Sequence, residues 1–82
     1  MNLPGGDAGE FRNIWKNAVG EDERLHSEPA AFREGKLTVM VDNSIHLQNF
    51  VLKREKIRDK INLLSPGKQV SEICFRIGII ER

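Results

Sequence analysis

The sequence predicts an α+β domain with the element order α-β-β-α-β, two amphipathic helices packing on one face of a three-stranded sheet. Three observations carry this. Apolar residues recur at helical spacing in residues 11–19 and 47–64. They alternate with a period of two in residues 36–42 and again in 70–79. Turn-forming residues, Gly20, Gly35 and Ser65-Pro66-Gly67, separate the patterned stretches.

Residues 1–7 read as a flexible lead and residues 8–82 as a single domain. Asp7 is an N-cap candidate with Glu10 as its capping-box partner. Phe11, Ile14, Trp15, Ala18 and Val19 then share one face of a helix over residues 8–19, which Gly20 ends. Glu21-Asp22-Glu23-Arg24 is able to add a turn. A first strand is expected over residues 25–32, and Pro29, which has no N–H, places it at an edge or makes it irregular. Arg33-Glu34-Gly35-Lys36 supplies a hairpin loop. In the second strand, Leu37, Val39 and Val41 point to one face, Thr38 and Met40 to the other. Asn43 and Ser44 are both good N-caps for one long helix reaching residue 63 or 64, where Pro66 and Gly67 stop it. Its core stripe is Leu47, Phe50, Ile57, Ile61 and Leu64, flanked by Val51. The last strand sets Ile73, Phe75, Ile77 and Ile79 on one face.

Composition narrows the function classes. A chain of 82 residues has room for one small core and buries only about 60% of its unfolded surface. Hydrophobic residues at 39% and charged residues at 30% fit a globular domain, and a net charge of +1 means that bulk charge does not argue for nucleic acid. The single cysteine, Cys74, excludes an internal disulfide and a Cys-rich zinc site. With His26 and His46 it makes three scattered ligands without paired spacing, so no metal site is expected. Cys74 alternates with the apolar face of the last strand and reads as a small, unreactive side chain. The start Met1-Asn2-Leu3-Pro4-Gly5-Gly6 lacks a secretory pattern and no apolar stretch spans a bilayer, so the cytoplasm is expected, with no membrane partner. No Gly-rich phosphate loop or framed carboxylate pair occurs. His26 and Ser27, adjacent on a strand, point to opposite faces and make no nucleophile–base pair. Neither an enzyme nor a cofactor is expected.

The candidate binding surface is the second helix. On a helical wheel Lys53, Lys56 and Lys60 fall in one narrow arc beside the apolar stripe, with Glu55 and Asp59 on the opposite side of the polar face. A segregated lysine ridge suits phosphate tracking, because each cation displaces condensed counterions. Lysines equally suit a solvated helix face for propensity and solubility alone. Arg12 and Lys16 form a smaller basic pair on the first helix. Arg54 falls inside the apolar stripe, where its stem is expected to snorkel over the core edge. Trp15 and the four phenylalanines read as core, leaving no stacking platform, and His46 is expected to be exposed.

A string of spaced residues adds to this reading. It runs Phe11-x-x-Ile14-Trp15-x-x-Ala18-Val19-Gly20, His26-Ser27-x-Pro29, Gly35-Lys36-Leu37-Thr38-Val39-Met40-Val41, Asn43-Ser44, Ile61-Asn62 and Val70-x-x-Ile73-Cys74-Phe75-Arg76-x-Gly78. That order resembles the DciA family, bacterial proteins implicated in loading or operating the replicative DNA helicase. The resemblance covers residues 11–78 and implies a KH-like fold, an architecture used for single-stranded nucleic acid. It also implies a DNA-replication role as an accessory to the helicase. The partners implied are that helicase and single-stranded or forked DNA, with RNA as a variant, and the state a monomer or weak homodimer. A polar residue at His26 suits a structural hydrogen bond. The chain departs from the family pattern in carrying Leu47 where a tryptophan is frequent, and in ending at Arg82, where many members continue into an extension. It also lacks, between two helices, the Gly-x-x-Gly loop with which a KH domain clamps a nucleic-acid backbone. That absence and the near-neutral charge support an alternative, a protein-interaction module with little nucleic-acid affinity. In it, the strand ending at Gly78-Ile79-Ile80 would pair with a partner strand or a second copy.

Overall fold

Leu37, Val39 and Val41 are fully buried, and the molecule is organised around the strand that carries them. The computed structural model describes residues 11–65, 67 and 69–80. Its elements are α1 (Phe11–Ala18), α2 (Glu21–Leu25), β1 (Ser27–Arg33), β2 (Lys36–Val41), α3 (Ser44–Leu52), α4 (Arg54–Leu64) and β3 (Glu72–Ile77). The sheet order is β1-β2-β3, with β1 antiparallel and β3 parallel to the central β2. The expected α+β architecture holds, with helices packed against a three-stranded mixed sheet in a KH-like arrangement. The flexible lead of residues 1–7 and the Asp7–Glu10 capping box lie outside the described residues.

Period-two alternation works as expected in β2, whose inward residues form the floor of the core. Phe11, Trp15 and Ala18 of α1, Phe50 of α3, and Ile57 and Ile61 of α4 cover it. Pro29 sits on an edge strand, as its missing N–H requires, and the register slips between Pro29 and Ala31. The slip matters for packing. It brings Phe32 opposite Leu37 on the inward face, where its ring lies 4.7 Å from that of Phe11. The β1–β2 turn has positive φ at both central residues, 53° at Glu34 and 83° at Gly35. That geometry matches the twist of the two strands and suits glycine at the second position.

Four expectations are corrected. The charged stretch after Gly20 is a separate short helix, α2, not a further turn of α1. The single long helix is two helices, because Lys53 leaves the helical region at φ −100°, ψ 9°. No glycine or proline marks the break. It follows from packing: α3 lies on β3 and β2, whereas α4 turns to lie along α1. Leu64 and Val51, assigned to the core stripe and its flank, are each 44% exposed, because the stripe was drawn on one straight axis. Finally, Ile77 is half-exposed and Ile79 almost fully exposed, since the helices cover only the Ile73–Phe75 part of β3.

Candidate nucleic-acid interface

The α1–α2 corner is built around Glu23. Gly20 precedes α2 in an extended conformation, and the Glu23 carboxylate accepts its backbone N–H at 2.9 Å. The other carboxylate oxygen accepts from Lys53 Nζ, also at 2.9 Å. One side chain thus ties the corner to the residue at which the long helix breaks. Partial burial by itself would push the Glu23 carboxyl up, but the Lys53 and Gly20 donors, with the charges of Lys53 and His46, hold it below its ordinary value. Behind it, Trp15 Nε1–H donates to Ser27 Oγ at 2.9 Å, and the Ser27 hydroxyl donates on to the Glu23 carbonyl. The only indole N–H of the chain is therefore satisfied inside the core.

Lys53, Lys56 and Lys60 are all exposed and line one shallow groove, whose other wall is Ala18, Val19, Gly20 and Glu23. The break at Lys53 does not disperse them, because Lys56 and Lys60 remain one turn apart on α4. Arg12 and Lys16 do not join this groove. They lie with Arg24 and Glu28 in a second depression beside the start of β1, where Arg12 makes a long 3.8 Å ion pair with Glu28. The five basic residues thus form two patches. Arg54, the first residue of α4, is exposed rather than set over the core, and it lines a shallow depression with Arg58 and the start of β3. The α3–α4 junction is the single residue Lys53, with exposed Leu52 before it, so it offers no glycine-lined backbone cradle. Trp15 and Phe50 are buried and Phe75 packs against them, so none presents a ring for base stacking.

The sequence reading missed one cluster. His26 and His46, taken as scattered, stack with ring centroids 4.2 Å apart, and His46 is half-buried instead of exposed. Asp42 Oδ2 lies 2.8 Å from His26 Nδ1, which supplies the structural hydrogen bond expected at His26. The signal lay in the hairpin register: Ser27 pairs with Val41, so the residues just outside, His26 and Asp42, face each other. The Asn43 cap then fixes His46 in the first turn of α3.

Fold and groove together define a KH-like α+β module with a cationic groove. The family model for DciA, described as the Dna[CI] antecedent, matches residues 5–75, and the chain belongs to the DciA family. Membership supports a role in replicative-helicase loading in DNA replication, with the replicative helicase as partner; the family is one of helicase loaders and accessories, not a known enzyme family. No curated protein matches the chain. Among the described residues, no helix is long and apolar enough to cross a membrane.

Proposed function

We propose that residues 8–82 act as one KH-like module that assists the replicative helicase in the bacterial cytoplasm by holding single-stranded or forked DNA in the groove between α4 and the α1–α2 corner. The observation that carries the reading is the convergence of Lys53, Lys56 and Lys60 on one groove. Lys53 is anchored by Glu23, whereas no ion pair is found for Lys56 or Lys60 among the described residues. Arg12 and Lys16 provide a second contact on the far side of Trp15. Recognition is of the backbone and independent of sequence, since the described residues present no stacking ring and no Gly-x-x-Gly loop between two helices. RNA would compete through the same phosphates.

Titration of labelled single-stranded DNA, forked DNA and RNA at several salt concentrations tests this. Neutralising about three phosphates predicts that log K falls against log salt with a slope near −2. Exchanging Lys53, Lys56 and Lys60 for glutamate abolishes binding while the circular dichroism stays that of the parent. Unchanged affinity in that variant rules the groove out.

The β3 edge favours a second reading, a protein-interaction module. Among the described residues β3 has a partner only on its β2 side, and Ile77 at its end and Ile79 just beyond stand exposed. On this reading, salt-insensitive self-association or helicase capture survives the triple lysine exchange and is lost on Ile77→Lys.

A further inference from the structure

We infer that His26, Asp42 and His46 form a binding site for a divalent transition metal of the zinc class. One ligand atom from each residue lies within 4.8 Å of the other two. Metal–nitrogen and metal–oxygen bonds of about 2.0–2.2 Å bring such donors somewhat closer together, a contraction that side-chain rotation supplies. Two imidazoles and one carboxylate are a donor set for zinc, nickel or copper, and not for calcium or magnesium, which take oxygen. Three protein ligands leave a fourth position for water.

The surroundings hold the ligands in place. His26 directly precedes β1 and Asp42 directly follows β2, and the Asp42 N–H donates to the His26 carbonyl at 3.1 Å, fixing the two backbones. His46 is held by the α3 cap, its backbone N–H donating to Asn43 Oδ1 at 2.9 Å. The same oxygen lies 3.1 Å from His46 Nδ1. A neutral imidazole donating there carries its lone pair on Nε2, so Asn43 orients the ring for ligation from that atom. Asn43 Nδ2 in turn donates to Asp42 Oδ1 at 2.8 Å, holding the carboxylate. The two rings stack at 22°, so their in-plane lone pairs run side by side, and ligation requires a ring to turn until both converge on the ion. A bound ion would staple the start of β1, the end of β2 and the first turn of α3, a structural role independent of nucleic acid.

The test uses the untagged full chain, stripped with chelator and titrated with zinc by calorimetry, with histidine ring resonances followed by NMR. One zinc per chain is expected, with both imidazole rings shifting. His46→Ala lowers the affinity at least tenfold; it keeps the backbone N–H that the cap uses, so the fold persists. Asp42→Asn weakens binding as well, while Cys74→Ala leaves it unchanged. Zinc at a hundred times its Kd raises the parent's Tm by about 10 °C and that of His46→Ala hardly at all. Absence of heat and of ring shifts in the parent, full affinity in His46→Ala, loss of binding in Cys74→Ala, or one zinc per two chains would each overturn the assignment.

Discussion

The two ends of β2 are secured by different chemistry. At its start, Gly35 offers its carbonyl to the N–H groups of Ser71 and Glu72, at 2.8 and 3.2 Å, and to the Ser71 hydroxyl at 3.1 Å. Beside it, Asn62 of α4 grips the backbone of Val70 from both sides, its Oδ1 accepting the N–H at 2.7 Å and its Nδ2 donating to the carbonyl at 2.9 Å. Val70 is buried, and none of these groups titrates. At the other end the outward-facing ties are His26, Asp42 and His46, all partly solvated and all ionisable. The first end rests on neutral groups alone. The second carries the proposed metal ligands, and it adjoins Glu23, the residue that holds Lys53 in the groove. A domain this small can lock one end of its central strand with neutral groups alone and leave a responsive surface cluster at the other, beside the buried Trp15–Ser27 hydrogen bond.

The comparison breaks most sharply at Asn62. Asn62→Ala leaves a buried N–H and a buried carbonyl without their partner, and an unsatisfied buried group costs roughly 1–3 kcal/mol. A loss of about 2 kcal/mol in urea unfolding is expected, with the m-value unchanged, and the loss is the same with and without zinc. Asn62→Asp keeps the acceptor for the Val70 N–H and falls between the two. A cost under about 0.5 kcal/mol for Asn62→Ala would show that water replaces the amide and that this end is not locked.

Asn62 also shows where legibility in the sequence ends. The residue belonged to a recognisable spacing with Ile61 and Val70, but nothing in a linear pattern says that its amide reaches eight residues on to grip a strand backbone. The patterned elements were legible: β2, the hairpin, the edge position forced by Pro29 and the helix face of Phe11, Trp15 and Ala18 each follow from local sterics or periodicity. What depended on partners was not. The break at Lys53 has no local cause, since α3 and α4 diverge only because one meets the sheet and the other meets α1. Leu64 and Ile79 obey the right period yet lie beyond the reach of any covering element among the described residues. Of the site, the lysine arc was legible because it lies on one helix, whereas the Glu23–Lys53 pair, spanning thirty residues, and the two histidines were not.

At the responsive end a substitution costs less. Asp42→Ala removes the acceptor for His26 Nδ1 and for the Asn43 amide, both near solvent that can replace it. The expected loss is below about 1 kcal/mol without metal, the range of exposed pairs. Because Asp42 is also a proposed ligand, the difference between parent and variant should widen when zinc is added, in contrast to Asn62→Ala. Thermal unfolding of both variants with chelator and with zinc separates the two ends directly: a gap for Asp42→Ala that ignores zinc would make the two ends equivalent.

The smallest effect concerns the link between that end and the groove. The Glu23 carboxyl is held below its ordinary value, so ionised Glu23 stabilises the folded state. With the folded value depressed, that contribution is fully present above the unfolded value, near pH 4.5, and fades as the pH falls through the folded value. Glu23→Gln should cost about 0.5 kcal/mol at pH 7, as a partly solvated pair with Lys53 allows. The parent and variant should then converge as the medium is acidified below that window. Glutamine still accepts the Gly20 N–H, so α2 persists and only the tie to Lys53 is weakened. A released Lys53 gains one uncompensated positive charge for phosphate, so Glu23→Gln should bind single-stranded DNA more tightly while being slightly less stable. Stability and affinity moving in the same direction would mean that Glu23 positions Lys53 for DNA rather than competing with it.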